Sequence, residues 1–189
     1  DWSGWTPTQL MGLSMQAKRL GILGMGDIGR ACALRARAFG MEIHYHNRTR
    51  LSPELEEGAT YHETPEELLK VSDFLSLHCP LAPDTKNFLN EKRISLLPPN
   101  PVVINTARGP VIDDEALIAA LKSGRVAAAG LDVFDGEPKL NPGYLDCKNA
   151  FLLPHLGSAT IETRNAMGFT ALDNLDAVFA GKEPPNKLV

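Results

Sequence analysis

The sequence predicts an α/β fold: a doubly wound, mostly parallel sheet with helices on both faces. Short apolar segments without polar alternation, typical of buried parallel strands, alternate with helical stretches about ten residues long. A glycine-rich loop of the GxGxxG pattern stands between the first strand and the first helix. The chain has 189 residues, enough for one well-buried domain. Together these observations indicate the Rossmann type of sheet.

Local signals mark the first elements. Arg19 to Leu23 is an apolar strand, and the alanine-rich helix after it extends to Phe39 and ends at Gly40. Met41 to His46 is the second strand. The segment 64–67, Thr-Pro-Glu-Glu, begins a helix, since a threonine N-cap, a proline at the first helical position and a glutamate three residues after the cap form a capping box.

The second half of the chain continues the alternation. Asp113 is the N-cap of a helix that Gly124 ends. The last helix carries an apolar stripe, typical of a helix with one face against a core; the stripe is Met167, Ala171, Leu172, Leu175, Val178 and Phe179. The remaining predictions are strands at 73–78, 102–105, 127–131 and 151–153, and helices at 91–97 and 160–180.

Composition narrows the class of protein. A net charge of -4 argues against nucleic acid as the main partner. The three cysteines, Cys32, Cys79 and Cys147, are widely spaced, so we expect neither a disulfide framework nor a metal site. No apolar run approaches the roughly 20 residues that span a bilayer. The first residues do not form a signal peptide, and we expect a cytoplasmic protein with no membrane partner.

The glycine-rich loop predicts a dinucleotide site. Its context, with a strand before and a helix after, favours this interpretation over an ordinary glycine-rich turn. The first glycine makes the tight turn, the second lets a pyrophosphate approach the backbone, and the third lets helix and strand pack closely. The helix N-terminus then offers free N–H groups to the phosphates. The predicted contacts are Gly24, Gly26, Asp27, Ile28 and Gly29.

The end of the second strand predicts which dinucleotide is preferred. NAD-preferring sites usually carry an acidic residue there, but this chain has Asn47-Arg48-Thr49-Arg50, and Glu42 lies too early in the strand to reach the ribose. Arg48 and the Thr49 hydroxyl would bind a 2′-phosphate. We therefore expect a preference for NADP(H), with NAD(H) also accepted. The alternative is that the two arginines belong to an ordinary solvated basic loop.

Four polar residues follow the carboxyl ends of predicted strands, where ligands bind in open α/β sheets. They are Arg108, Asp132, Glu137 and His155. Hydride transfer to a 2-keto acid needs a bound carboxylate and a proton for the developing alkoxide. Arg108 can bind the carboxylate with two hydrogen bonds, protonated His155 can donate the proton, and Glu137 can stabilise the imidazolium.

Six motifs carry a resemblance over essentially the whole chain: GMGDIG, HCPLAPDT, NTARG, AAGLDVF, DGEP and PHLGSAT. The chain resembles the cofactor-binding domain of the D-isomer-specific 2-hydroxyacid dehydrogenases, most of all the bacterial glyoxylate/hydroxypyruvate reductases. The resemblance implies that Arg108 binds substrate, that His155 is the acid/base with Glu137 as its partner, and that Asp132 contacts the nicotinamide carboxamide. It also implies further positions lining the cofactor, namely Pro80, Thr85, Thr106 and Gly157.

The resemblance also implies a domain organisation. Residues 1–18 are a lead-in between domains, residues 19–189 are the dinucleotide-binding domain, and the family's substrate-binding domain is expected to be absent from this chain. Alone, the chain should therefore have little or no activity, because one wall of the cleft is missing. Trp2 and Trp5 in the lead-in suggest a homodimer contact, with packing inside the chain or on the missing domain as the alternative.

The function that these features predict is reduction of glyoxylate or hydroxypyruvate by NADPH, giving a D-2-hydroxy acid. The alternative is a non-catalytic regulator that senses dinucleotides on the same fold. The set of Arg108, Glu137 and His155 discriminates between the two, because a sensor has less need of it.

Overall fold

A parallel sheet of seven strands organises the computed structural model, which describes residues 4–9 and 11–188. The strand order is β3-β2-β1-β4-β5-β6-β7, and each neighbouring pair is parallel. The strands are β1 (Arg19–Leu23), β2 (Glu42–His46), β3 (Thr60–Tyr61), β4 (Phe74–Leu77), β5 (Val102–Asn105), β6 (Ala128–Leu131) and β7 (Ala150–Leu152). The predicted fold class is confirmed.

Six α-helices connect or follow these strands in the described residues. The capping box at Thr64 and the N-cap at Asp113 are present as predicted, and Thr160 is the N-cap of the last helix. Two 3₁₀ turns, Gly109–Val111 and Pro142–Asp146, complete the elements. The helices are α1 (Asp27–Ala38), α2 (Pro53–Glu56), α3 (Pro65–Val71), α4 (Glu91–Ile94), α5 (Asp114–Lys122) and α6 (Ile161–Phe179).

Helices cover both faces of the sheet. Successive strand residues point to opposite faces, and on β1 Ile22 lies against Gly29 of α1, whereas Gly21 faces Leu68 of α3. One buried cluster joins α1 to β1 and β2, and a larger one gathers side chains of α3, α5 and β4 to β6. The order of strands reverses at β1 and β4, so a crevice opens at their carboxyl ends.

The last helix differs from its prediction. Helix α6 has the expected bounds, but its apolar stripe does not lie on the core: Met167, Leu172 and Phe179 are each more than half exposed, and none of its described residues is buried. The stripe therefore remains largely uncovered by the residues that the structure describes.

The lead-in shows the same lack of packing. Trp5 is 80% exposed, which excludes its packing inside the described part of the chain. Trp2 lies outside the described residues. Within residues 4–9 and 11–188, no helix combines the length and the apolar character that crossing a membrane requires.

Candidate active site

A cleft of about 620 Å³ opens at the crevice between β1 and β4. It collects predicted cofactor residues from three separate parts of the chain: the glycine-rich loop, the end of β2 and the loop after β4. Those that line it are Gly24, Gly26, Asn47, Arg48, Thr49, Pro80 and Thr85. His46 and His78 also line it, although the sequence indicated no role for them.

The glycines have the geometry that a dinucleotide loop needs. Gly24 has a φ of +93°, and a Cβ there would lie 2.8 Å from the Cys79 backbone nitrogen. At Gly26 a Cβ would meet no described atom within 4 Å, so the open space beside the backbone is available to a pyrophosphate. A Cβ on Gly29 would lie 2.5 Å from the Gly24 carbonyl oxygen, which explains the close packing of helix and strand. The residues present therefore fit a nicotinamide dinucleotide.

Asp27 and Ile28 differ from the other predicted contacts. The Asp27 side chain forms an ion pair with Arg30, and the Ile28 side chain is exposed. Neither residue is among those lining the cleft in the described structure. Any contact with a phosphate would come from their backbone N–H groups at the start of α1.

The two arginines after β2 have different environments. Arg50 donates from Nε and Nη2 to the Glu56 carboxylate, at 2.7 and 3.2 Å. Arg48 and Thr49 are exposed at the cleft and form no ion pair or side-chain hydrogen bond with any other described residue. Arg50 is thus paired with Glu56 although its side chain remains 63% exposed, and Arg48 is the arginine that lines the cleft.

His155 and Glu137 are in direct contact. His155 Nδ1 lies 2.7 Å from Glu137 Oε2, and Glu137 Oε1 accepts a hydrogen bond from the Phe134 N–H at 2.9 Å. The His155 ring, the Phe134 amide and the nearby Arg108 charge hold the pKa of the Glu137 carboxyl below its usual range. Because Glu137 occupies Nδ1, Nε2 is the histidine nitrogen that can exchange a proton with a substrate.

Asp132 holds the turn on which His155 stands. Its side chain is nearly buried, and its two oxygens accept hydrogen bonds from the N–H groups of Leu156 at 2.6 Å and Gly157 at 2.8 Å. His155 has a φ of +55°, a left-handed conformation that costs about 1–2 kcal/mol for a residue other than glycine. The two bonds to Asp132 hold the backbone immediately after this strained position. This supporting role of Asp132 was not indicated by the resemblance. The contact of Asp132 with the nicotinamide carboxamide, which the resemblance implied, stays a prediction.

The loop after β5 brings Arg108 to the same edge. Buried Asn105 accepts from the Ala107 N–H and donates to the Arg108 carbonyl oxygen, both at 3.0 Å. A Cβ on Gly109 would lie 1.9 Å from the carbonyl carbon of Phe134, so this loop lies directly on the loop after β6. Arg108 and Thr106 are exposed there. Asn105 and Gly109 lie within the NTARG motif, and their positions at the strand end and beside Arg108 are the sequence signal for these unpredicted roles.

An apolar pocket of about 540 Å³ lies beside the histidine. Glu137 and His155 form its polar edge, and its other lining residues are Phe134, Pro138, Leu140, Leu145, Leu152, Leu153 and Pro154. The catalytic candidates thus lie between this pocket and the carboxyl edge of the sheet. The arrangement can bind a carboxylate at Arg108 and exchange one proton at His155.

The chain is similar in sequence to known proteins of one enzyme family. The family model for the D-isomer specific 2-hydroxyacid dehydrogenase NAD binding domain matches residues 1–157. A glyoxylate reductase from Thermococcus litoralis is 50% identical over 185 residues, which are 97% of this chain and 55% of that protein. The chain spans a little over half the length of the curated relatives it matches.

Solved structures share the fold. A putative D-isomer specific 2-hydroxyacid dehydrogenase from Polaromonas sp. JS6 66 superposes with a TM-score of 0.96 at 52% identity, covering 100% of this chain and 59% of that one. An NADPH-dependent glyoxylate/hydroxypyruvate reductase from Sinorhizobium meliloti, in complex with NADP and malonate, gives a TM-score of 0.84 at 41% identity. That match covers 88% of this chain and 51% of the other.

Proposed function

Because the chain belongs to the D-isomer specific 2-hydroxyacid dehydrogenase family, we propose that its protein is an NADPH-dependent reductase of small 2-keto acids, glyoxylate or hydroxypyruvate, that forms D-2-hydroxy acids. The observation that carries the proposal is the 2.7 Å contact between His155 and Glu137 beside Arg108. This set lies at the sheet edge that also carries the dinucleotide cleft. The similarity to reductases named for these substrates supports the choice of substrate.

The residues have complementary tasks in the reduction. When bound, the nicotinamide dinucleotide supplies the hydride. Arg108 binds the substrate carboxylate through two parallel hydrogen bonds and so orients the keto carbon. His155, protonated at Nε2, donates its proton to the carbonyl oxygen as the negative charge develops there. Glu137 stabilises the imidazolium before the transfer and keeps the ring oriented.

The preference for NADPH depends on the end of β2. Asn47 occupies the position at which NAD-preferring sites usually carry a carboxylate, and a carboxylate there would repel a 2′-phosphate. Arg48 lines the cleft and can bind that phosphate. A charge-assisted hydrogen bond contributes about 1.5–3 kcal/mol, so loss of Arg48 should reduce NADPH affinity by roughly tenfold or more. The relative from Sinorhizobium meliloti, described as NADPH-dependent, supports this preference.

A non-catalytic dinucleotide sensor would need the cleft but would have less need of a histidine bonded to a glutamate. The contact between His155 and Glu137 therefore favours the enzyme. The homodimer, the cytoplasmic location and the separate substrate-binding domain stay predictions.

The proposal is tested by assaying the full-length protein with glyoxylate and hydroxypyruvate, using NADPH and NADH in turn. We expect turnover with a higher kcat/KM for NADPH. His155→Gln should lower kcat by about 10²–10⁴, the usual contribution of a general acid. Unchanged turnover in His155→Gln would contradict the assignment of the proton donor, and a higher kcat/KM for NADH would contradict the cofactor preference.

A further inference from the structure

The loop that carries Arg48 and Thr49 is attached on both sides. On the first side, the Asn47 side-chain oxygen accepts a hydrogen bond from the Met25 N–H at 2.6 Å, which ties the end of β2 to the glycine-rich loop. The Tyr61 hydroxyl donates to the Asn47 carbonyl oxygen at 3.4 Å. Arg48 and Thr49 therefore begin from a fixed point.

Glu56 provides the attachment on the second side. Its Oε1 accepts hydrogen bonds from the Tyr45 hydroxyl at 2.6 Å and from Arg50 Nε at 2.7 Å. The Tyr45 oxygen in turn accepts from the Leu51 N–H at 3.1 Å. One carboxylate thus holds the side chain of Arg50 and, through Tyr45, the backbone at Leu51.

The ion pair between Glu56 and Arg50 is buried on the glutamate side only, since the Arg50 side chain is 63% exposed. Glu56 is 6% exposed and Tyr45 is fully buried. The Arg50 guanidinium and the Tyr45 hydroxyl hold the pKa of the Glu56 carboxyl below its usual range, so the group is ionised at neutral pH. The Arg50 guanidinium also lies 5.5 Å from the centre of the Tyr61 ring, a cation–π contact.

These contacts determine which arginine lines the cleft. Arg50 is held by Glu56 and Tyr61 and is not among the residues lining the cleft in the described structure, whereas Arg48 is. Between the two attachments, only Arg48 and Thr49 lack a side-chain bond to another described residue. A short loop with both ends held loses little conformational entropy when it binds a ligand.

We propose that Glu56 is a positioning residue for cofactor specificity: it holds Arg50 away from the cleft and fixes the loop so that Arg48 and Thr49 are presented to the 2′-phosphate of NADPH. This inference rests on the proposed function, because it requires that Arg48 bind a 2′-phosphate. Glu56 itself does not touch the cofactor. NADH, which has a hydroxyl at that position, gains little from the fixed loop.

The test is the ratio of kcat/KM for NADPH to kcat/KM for NADH in the full-length protein. Glu56→Gln retains the size of the side chain and removes the charge that holds Arg50. We expect the ratio to fall about three- to tenfold, equivalent to the loss of one ordinary hydrogen bond. The fall should appear as a higher KM for NADPH, with kcat and the NADH constants little changed. Tyr45→Phe removes the hydroxyl that donates to Glu56 and accepts from the Leu51 N–H, and it should also lower the ratio.

The matched control is Asp73→Asn. Asp73 holds Arg19 through hydrogen bonds to Nε and Nη2, but this pair lies at the opposite, amino-terminal edge of the sheet. Its loss should lower stability and leave the NADPH to NADH ratio unchanged. A merely structural role for Glu56 would give the same result as this control.

Arg48→Ala separates the inference from the proposed function. If Arg48→Ala lowers the ratio while Glu56→Gln and Tyr45→Phe leave it unchanged or raise it, the positioning role is overturned and the function stands. A raised ratio would mean that released Arg50 itself binds the phosphate. If Arg48→Ala leaves the ratio unchanged, the 2′-phosphate assignment fails and the positioning role fails with it.

Discussion

At the scale of single residues, Asp132 shows how a carboxylate can act on a reaction through the backbone. Both of its oxygens are used by the N–H groups that follow His155. The left-handed conformation of His155 is maintained because the next two amides are held. The orientation of the histidine therefore depends on a residue at the end of another strand.

Asp132→Asn tests this dependence. An amide has one acceptor oxygen, so its NH₂ would face one of the two partly buried N–H groups, and the loss of that hydrogen bond should cost about 1 kcal/mol. We expect a lower melting temperature. We also expect kcat/KM for reduction to fall by about 10–100-fold, because a displacement of a reacting group by about 1 Å can lower the rate by about 100-fold. Steady-state kinetics and calorimetry measure the two effects.

Asp146→Asn is the control for that change. Asp146 is an exposed partner of Lys122, at 3.6 Å, and its substitution should change neither quantity appreciably. Full activity in Asp132→Asn would show that the two backbone bonds do not position the histidine.

The residues proposed for the site could be named from the sequence, and their roles stay predictions. Arg108, Glu137 and His155 follow strand ends in recognisable motifs, and the predicted contact between Glu137 and His155 is present. The backbone bonds of Asp132 and Asn105 were not predictable. Such bonds depend on which loops lie next to each other in the fold, and no local pattern in the sequence shows which loops these are.

At the scale of elements, an ion pair joins the beginnings of β1 and β4. Asp73 accepts hydrogen bonds from the Arg19 backbone N–H at 2.9 Å and from its guanidinium at 2.8 and 3.0 Å. Arg19 holds the pKa of the Asp73 carboxyl below its usual range. The pair thereby fixes the register of two central strands at their amino-terminal ends.

The Asp73 contribution to stability should depend on pH. A carboxyl whose pKa is lower in the folded state stabilises the fold above its unfolded pKa, about 3.9, and loses that contribution as pH falls through the folded value. We expect the wild type to exceed Asp73→Asn in free energy of unfolding by a constant amount from neutral pH to about pH 5, and by less below about pH 4. Urea unfolding at several pH values measures the difference. A difference that is independent of pH down to the acid transition would exclude this role.

The smallest elements escaped prediction. Strand β3 has two residues and α2 has four, too few to show a period of two or of 3.6. Their side chains Tyr61 and Glu56 both contact Tyr45 of β2, a contact between distant residues that no local pattern shows. Helix α6 shows the reverse case: its bounds were predictable from the spacing of its apolar residues, but its sequence does not say what its apolar stripe contacts.

At the scale of the whole molecule, strand order places the functional groups. The reversal between β1 and β4 opens the dinucleotide cleft, and β5, β6 and β7 carry Arg108, Asp132 and His155 to the same carboxyl edge. The residues proposed to bind the cofactor and to donate the proton therefore lie along one continuous edge of one sheet.

This arrangement predicts that cofactor binding stabilises the full-length protein. At a concentration of 100 Kd a ligand specific for the folded state stabilises it by about 2.7 kcal/mol. At equal concentrations, NADPH should therefore raise the melting temperature more than NADH does, and Arg48→Ala should remove most of that difference. Differential scanning fluorimetry measures it. Equal shifts for both cofactors in the wild type would contradict selective binding of the 2′-phosphate.

The sequence by itself determined the fold class, and it pointed to the dinucleotide loop and to Arg108, Glu137 and His155 as the proposed site residues. These follow from local signals: strand periodicity, caps, and glycines with polar residues at strand ends. Only the tertiary structure decided which arginine after β2 is free to bind a ligand and which carboxylate holds the histidine turn. The physical reason is that a hydrogen bond is strong only at short range, so the partners of Arg50 and Asp132 depend on which loops the sheet brings within about 3 Å of each other.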